Sequence, residues 1–202
     1  MKKYIVECFG TMFLVLAISL TGNPIAIGTM LAVIMYLGAH ISGGHYNPAV
    51  TLAIWLRGKL KSKDVLYYMF FQVLGGFFAA AIYWFLADQR YYPAPAAGVS
   101  YPKVFAVELI FTFFLAFVVL VVMTTKKVKL TNMFGLVIGF ALMTIAFLGG
   151  TYNPAVSLGP SLFDLIFGGS AITHVPVYLL GTFSGGGLAA LAYRYIHCEE
   201  FK

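Results

Sequence analysis

The chain has 202 residues, of which 61% are hydrophobic and only 10% are charged. Soluble domains carry roughly 25% charged residues, so this composition excludes a water-soluble globular protein and indicates that lipid solvates much of the surface. The net charge of +6 does not indicate nucleic-acid binding, because the basic residues stand in short segments between long apolar runs.

Six apolar runs follow one another along the chain. A helix needs about 20 residues to cross about 30 Å of hydrocarbon, and a slightly shorter helix crosses where the bilayer thins. We therefore predict an all-α membrane protein with six transmembrane helices near 4–20, 25–41, 65–87, 104–124, 132–148 and 172–193.

The basic residues predict the orientation of these spans. Because basic loops stay in the cytoplasm, both termini are predicted to be cytoplasmic, and the polar loop 88–102 is predicted at the outer surface. Such an orientation fits an integral protein of the plasma membrane or of a bacterial inner membrane. The basic residues on the cytoplasmic side are Lys2, Lys3, Arg57, Lys59, Lys61, Lys63, Lys126, Lys127, Lys129, Arg194 and Lys202.

One short string occurs twice, each time where an apolar run is interrupted. Residues 43–50 read Gly-Gly-His-Tyr-Asn-Pro-Ala-Val, and residues 149–156 repeat them with Thr in place of His. Three spans per half is an odd number, so the second half enters the membrane inverted relative to the first. We predict a single channel domain over 1–202, built from a first repeat 1–87, an outer loop 88–102 and a second, inverted repeat 103–202.

The residues after each interruption predict two short re-entrant helices, near 48–57 and 154–167. Asn47 and Asn153 suit the N-cap of a helix, and the proline after each suits the first helical position, where no N–H is needed. Nine or ten residues rise about 15 Å, which is half the hydrocarbon thickness. Two such half-helices entering from opposite faces meet at the bilayer midplane.

The segments before the two asparagines are predicted to be extended backbone at membrane depth, which is tolerated only inside protein or along a wet cavity. Their carbonyl groups offer acceptors to a neutral solute, the amides of Asn47 and Asn153 offer donors, and the two positive helix ends repel cations. The predicted pore centre is Asn47, Pro48, Ala49, Asn153, Pro154 and Ala155. The predicted pore backbone is Gly43, Gly44, His45, Tyr46, Gly149, Thr151 and Tyr152.

Two carboxyl groups, Glu7 and Glu108, stand within apolar runs, where an ionisable group is costly without partners. Either they relay protons in a carrier, or each accepts hydrogen bonds from the exposed N–H groups of one interrupted segment. Their matching places in the two halves favour the bracing role. Neither His40 nor His45 has a second metal ligand at a suitable spacing, so the sequence predicts no metal site and no cofactor.

At these residues the chain resembles the aquaporins and glycerol facilitators, the major intrinsic proteins. The resemblance covers nearly the whole chain, and paired Asn-Pro-Ala strings are highly specific for this family. It implies six helices and two half-helices around a pore, four pores in a homotetramer surrounded by membrane lipid, and passive flux of water and small neutral solutes. It also implies that Asn47 and Asn153 face the pore while Glu7 and Glu108 brace the two loops.

The chain departs from the family at the outer constriction of the pore. Family members usually carry Arg three residues after the second Asn, where this chain has Val156. Counted from the two asparagines, the resemblance places Ile27, Ala141 and Gly150 beside it. This ring is small, apolar and uncharged, so we expect a wide selectivity filter without a fixed cation to bind hydroxyl groups or oppose protons.

A passive channel is the leading interpretation, and an enzyme is the least favoured because no nucleophile or acid–base pair stands out. One alternative is a facilitator for glycerol, urea, ammonia, hydrogen peroxide or a metalloid acid that conducts little water. An energy-coupled carrier needs titratable groups at the midplane beyond the two glutamates. A non-conducting membrane scaffold is a further alternative, with little support from the short outer loops.

Overall fold

A computed structural model describes residues 1–126, 128 and 132–201 of the protein. Within them, two single turns of 3₁₀ helix, Ala171–His174 and Cys198–Phe201, flank the last α-helix. The basic residues Lys127, Lys129 and Lys202, which contribute to the predicted orientation, lie outside the described residues. The α-helices are α1 (Lys2–Thr21), α2 (Pro24–Ser42), α3 (Pro48–Leu56), α4 (Ser62–Ala87), α5 (Tyr101–Thr124), α6 (Phe134–Ala146), α7 (Pro154–Ile166) and α8 (Val175–Ile196).

The predicted fold class is confirmed: six transmembrane helices, α1, α2, α4, α5, α6 and α8, accompany two short helices, α3 and α7. Five of the six are long and apolar enough to span a membrane by themselves. The sixth, α6, has 13 residues, whereas its apolar run predicts 132–148. The run is longer than the helix because Phe147 and Leu148 are apolar but form a turn, and Gly149 follows at φ 71°.

The two halves of the chain pack in the same way. In the first half α1 lies against α2 and α4, and in the second half α5 lies against α6 and α8. Each short helix packs against the last long helix of the other half, α3 against α8 and α7 against α4. At the crossing of α2 and α6, a Cβ atom added to Gly28 or to Gly139 would lie 2.5 Å from the carbonyl oxygen of the other glycine. The halves are therefore joined through close helix contacts that only small residues permit.

A second repeated string, Gly-Gly-x-x-Ala-Ala, brings the long and short helices together. It stands at 75–80 in α4 and at 185–190 in α8. A Cβ atom on Gly76 would lie 2.5 Å from the carbonyl oxygen of Ala155, and one on Gly186 would lie 2.5 Å from that of Ala49. Because Ala49 and Ala155 belong to the first turns of α3 and α7, these glycines let each long helix contact the beginning of the opposite short helix.

Candidate functional site

Asn47 and Asn153 each cap the short helix that follows. The Oδ1 atom of Asn47 accepts hydrogen bonds from the backbone N–H groups of Ala49 (2.8 Å) and Val50 (3.4 Å). The Oδ1 atom of Asn153 accepts one from the N–H of Ala155 (2.9 Å). Asn is a preferred N-cap, and the proline that follows lacks the N–H that would be orphaned there, so the same three residues start a helix in both halves.

The two caps also contact each other. Asn47 Nδ2 donates a 2.8 Å hydrogen bond to the carbonyl oxygen of Tyr152, and Asn153 Nδ2 donates a 2.9 Å hydrogen bond to that of Tyr46. The N-termini of α3 and α7 therefore face one another. A primary amide has two N–H bonds, and within the described residues each Asn uses one of them, which leaves the second for a further acceptor.

The tyrosines that receive these bonds have an uncommon backbone conformation. Tyr46 has φ 47° and Tyr152 has φ 53°, in the left-handed region that bulky L residues rarely adopt. Such a conformation costs on the order of 1–3 kcal/mol and persists only where the surroundings enforce it. Here each tyrosine accepts a hydrogen bond from an Asn at its carbonyl and donates one to a glutamate at its N–H, which fixes the peptide on both sides.

Glu7 is fully buried and accepts four hydrogen bonds. Its Oε1 atom accepts from Ser42 Oγ (2.6 Å) and from the backbone N–H of His45 (2.9 Å). Its Oε2 atom accepts from the N–H of Tyr46 (2.6 Å) and from Gln72 Nε2 (2.8 Å). The carboxylate thus joins the first loop, 43–46, to α2 and α4.

Glu108 has the corresponding position beside the second loop, 149–152. Its Oε1 atom accepts from the backbone N–H of Thr151 (2.7 Å), and its Oε2 atom accepts from the N–H of Tyr152 (2.7 Å) and from Thr151 Oγ1 (3.0 Å). Both carboxylates therefore pair backbone N–H groups that would otherwise be buried without a partner.

Several polar side chains around the first loop were not found from the sequence. Thr51 Oγ1 lies 3.1 Å from His45 Nδ1 and accepts a 2.9 Å hydrogen bond from Gln72 Nε2. The hydroxyl of Tyr68 donates a 2.7 Å hydrogen bond to the carbonyl oxygen of Ser42. The available signal was Gln72 itself, a primary amide within a long apolar run, because a polar side chain at membrane depth marks a functional site.

A cavity of about 30 Å³ lies along the two loops and their caps. Four helices contribute apolar side chains to its wall, two from each helix and always four positions apart, which places each pair on one helix face. Among the described residues that line the cavity, none is Asp, Glu, Lys or Arg. The helix pairs are Leu14 and Ile18, Leu31 and Met35, Leu115 and Val119, and Ile138 and Leu142. The loops and short helices contribute Gly44, His45, Tyr46, Asn47, Val50, Thr151, Tyr152, Asn153 and Val156.

Val156, the residue in place of the usual arginine, lines this cavity. It follows Asn153 by three positions, as Val50 follows Asn47, and Val50 lines the cavity as well. The two short helices therefore present the same apolar side chain, and no charge distinguishes one end of the pore from the other at these positions.

The other three predicted filter residues lie in α2, in α6 and in the second loop. Ile27 and Ala141 are buried, within two positions of the glycines at which α2 and α6 cross. Gly150 lies against the ring of Tyr152. In the described part of the chain these three residues are not among those that line the cavity.

Comparisons with known proteins identify the family. Residues 1–193 match the family described as major intrinsic protein. The chain is 34% identical to the glycerol uptake facilitator protein-like 6 of Lactiplantibacillus plantarum, over 99% of this chain and 100% of that protein. It is 31% identical to aquaporin AqpM of Methanothermobacter thermautotrophicus, over 87% of this chain and 76% of that protein. In structure it is similar to the aquaglyceroporin from Plasmodium falciparum, with a TM-score of 0.88, 24% identity, and coverage of 98% and 97% of the two chains.

The protein therefore belongs to the major intrinsic protein family. It is an integral membrane protein and a passive channel for water and small solutes, not an enzyme. The family and the channel function predicted from the sequence are confirmed.

Proposed function

We propose that this channel conducts water together with small uncharged solutes that both donate and accept hydrogen bonds, such as glycerol and urea. The observation that carries the proposal is the valine at position 156, in a cavity wall whose described residues include no Asp, Glu, Lys or Arg. A filter without a fixed cation selects by size and by hydrogen-bonding capacity, because it has no charge with which to attract or repel a solute. In this proposal Ile27, Ala141, Gly150 and Val156 form the outer constriction.

The loops and caps supply the hydrogen bonds for permeation. At the midpoint, the second N–H of Asn47 and of Asn153 donates to an oxygen of the solute. On either side of it, backbone carbonyls of loop residues such as Gly44 and Thr151, both at the cavity, accept from the solute. The apolar side chains of α1, α2, α5 and α6 offer no competing polar group, so the solute exchanges its bonds to water for bonds to the loops.

The half-helices oppose the passage of cations. α3 and α7 direct their N-termini at the middle of the pore, and each helix end carries the equivalent of roughly half a positive charge. Two such ends facing a narrow apolar cavity raise the energy of any cation placed between them, which is the barrier already known for aquaporin-type pores. Anions and neutral solutes do not meet this barrier, and anions are instead opposed by the cost of leaving water.

Glu7 and Glu108 hold the loops in shape in this proposal and do not transfer protons. Within the residues that the structure describes, three of their four carboxylate oxygens each accept two hydrogen bonds, and the seven donors belong to the loops, to α2 or to α4. A proton on either oxygen of Glu7, or on Oε2 of Glu108, would displace one of these donors. The arrangement therefore supports flux that follows the solute gradient alone.

We further propose that both termini face the cytoplasm and that four copies assemble in the membrane, each with its own pore. The exposed lysines at 59 and 61, between α3 and α4, and at 63, in the first turn of α4, support the orientation. Large apolar side chains are exposed on the outer faces of several helices, among them Leu37, Leu66, Phe140 and Leu180. Such faces need lipid or neighbouring copies as their surroundings.

Stopped-flow light scattering on proteoliposomes tests the proposal. We expect osmotic water flux, and flux of glycerol and urea, to exceed those of empty liposomes, with no dependence on an imposed proton gradient. Water flux with exclusion of both solutes would contradict the uncharged wide filter. Solute flux without water flux would favour a dedicated facilitator, and no flux from correctly folded protein would favour a scaffold.

A further inference from the structure

The tyrosines that precede the two asparagines are placed differently in the two halves. The ring of Tyr46 lies against Gly10 of α1, and its hydroxyl lies against Gly38 of α2. That hydroxyl donates a 2.9 Å hydrogen bond to the carbonyl oxygen of Ile34. In the first half, therefore, two glycines make room for the tyrosine and a backbone carbonyl pairs its polar atom.

The second half lacks that space. The match of Glu7 with Glu108 makes Phe111 the counterpart of Gly10, and the Phe111 ring stands edge-on to the ring of Tyr152 at a centroid distance of 5.9 Å. The ring of Tyr152 instead lies against one side of the exposed Gly150, so that a Cβ atom there would collide with it. The Tyr152 side chain thus occupies the space into which a side chain at position 150 would project.

The hydroxyl of Tyr152 is buried and unpaired. Tyr152 is only 1% exposed, and no described residue provides a hydrogen-bond partner for its hydroxyl. Buried polar groups are paired with few exceptions, and an exception is explained by local strain or by a ligand, a water or an ion at the site. Since Tyr152 lines the cavity together with Val156, the permeating water or solute is the available partner.

We propose that Tyr152 is a selectivity residue of the outer pore: its ring takes the place of the missing side chain at Gly150, and its hydroxyl bonds to the permeating molecule. This inference rests on the proposed conduction of water and small neutral solutes. The hydroxyl both donates and accepts, so it serves water, polyols and urea alike without adding a charge. The neck is then narrower and more polar than Ile27, Ala141, Gly150 and Val156 alone imply.

The test compares Tyr152→Phe with the matched variant Tyr193→Phe, because Tyr193 is buried, its hydroxyl lies 2.9 Å from Thr125 Oγ1, and it is not among the described residues that line the cavity. The Tyr152 change keeps the ring and removes an unpaired hydroxyl, so we expect unchanged or higher thermal stability and about fivefold lower water and glycerol permeability per channel, the effect of one lost hydrogen bond. The Tyr193 change removes a paired hydroxyl, so we expect lower stability and unchanged permeability per channel. Permeabilities of Tyr152→Phe equal to those of the wild type would overturn the inference.

A second pair of variants tests the placement of the ring. Gly150→Ala requires the Tyr152 ring to move, so the ratio of glycerol to water permeability should change at least twofold. Gly187→Ala is the control, because no described atom lies within 4 Å of the added methyl group. An unchanged ratio in folded Gly150→Ala would place the ring outside the neck and overturn the inference. Absence of flux in the wild-type protein would instead refute the proposed function. Failure of the inference about Tyr152 and failure of the proposed function therefore give different results.

Discussion

The first loop, 43–46, and the second loop, 149–152, have the same shape but different supports. In both, a tyrosine with positive φ precedes an asparagine cap, and a glutamate accepts the N–H groups of two successive residues. Glu7, however, also accepts from Ser42 of α2 and from Gln72 of α4. The donors to Glu108 among the described residues all belong to the second loop itself.

The one difference between the repeated strings explains this contrast. Thr151 supplies its own hydroxyl to Glu108. The corresponding residue, His45, directs its ring to Thr51 instead, and Ser42 supplies the hydroxyl to Glu7 in its place. Through its glutamate the first loop is thus connected to three helices, α1, α2 and α4, whereas Glu108 connects the second loop to α5. The backbone of the pore is repeated in the two halves, but the contacts that hold it to the helices differ.

The largest expected effect comes from exchanging each carboxylate for an amide. Glu7→Gln turns an N–H group toward the donors of the first loop and forces Ser42 or Gln72 to reorient, so we expect a loss of about 3 kcal/mol in the free energy of unfolding. Glu108→Gln leaves Thr151 free to turn its hydroxyl, so about 2 kcal/mol is expected. Thermal unfolding of purified protein in detergent measures both.

Flux measurements serve as the control for these two variants. If the carboxylates only brace the loops, folded Glu108→Gln protein conducts solutes without any change in its dependence on a proton gradient. Equal stability of both variants and the wild type, with altered gradient dependence, would assign proton transfer to the glutamates instead.

The hydroxyl groups that donate to the two glutamates allow the two loops to be compared by variants with smaller expected losses of stability. Ser42→Ala removes a 2.6 Å bond to Glu7 and the acceptor of a 3.1 Å bond from the Gly44 N–H, so we expect a loss of about 2 kcal/mol. Thr151→Val removes only a 3.0 Å bond to Glu108 and keeps the shape of the side chain, so the loss should be about 1.5 kcal/mol. A reversed order in the thermal unfolding temperatures would show that the second loop depends more on its hydroxyl than the first.

Val50 and Val156 have the same position in the two short helices, and a substitution of Val156 alone makes the two ends of the pore differ. Val156→Arg adds a long cationic side chain to the cavity wall, so we expect the ratio of water to glycerol permeability to rise about tenfold, equivalent to about 1.4 kcal/mol. Val156→Leu adds volume without charge, so its comparison with Val156→Arg separates the effect of volume on the permeability ratio from the effect of charge. An unchanged ratio in Val156→Arg would mean that residue 156 does not lie at the constriction.

The sequence was sufficient for the spans and for both caps, because hydrophobic length and Asn-Pro chemistry are local signals. It was not sufficient for the polar network around the first loop, since Ser42, Thr51 and Gln72 are distant in the chain and meet only through packing. The repeated Gly-Gly-x-x-Ala-Ala string is present in the sequence, but its role could not be predicted from it. The structure shows that its glycines let α4 and α8 contact the opposite short helices. Gly10 leaves room for the Tyr46 ring, whereas its counterpart Phe111 occupies the corresponding space beside the Tyr152 ring. These neighbours meet only through packing, so the repeated string alone does not predict where the Tyr152 ring lies.

The residues that precede α2 and α6 differ between the two halves, and substituting them is expected to give the smallest change in stability. Asn23 caps α2, and its side chain accepts hydrogen bonds from Ile25 (2.8 Å) and Ala26 (3.4 Å), whereas Met133 precedes α6 without a capping hydrogen bond from its side chain. We expect Asn23→Ala to lower the free energy of unfolding by about 1 kcal/mol, the usual value of an N-cap, and Met133→Ala to change it by less than about 0.5 kcal/mol. Thermal unfolding of the two variants side by side measures the difference. Equal losses in the free energy of unfolding would mean that packing in the membrane, rather than capping, decides where these two helices begin.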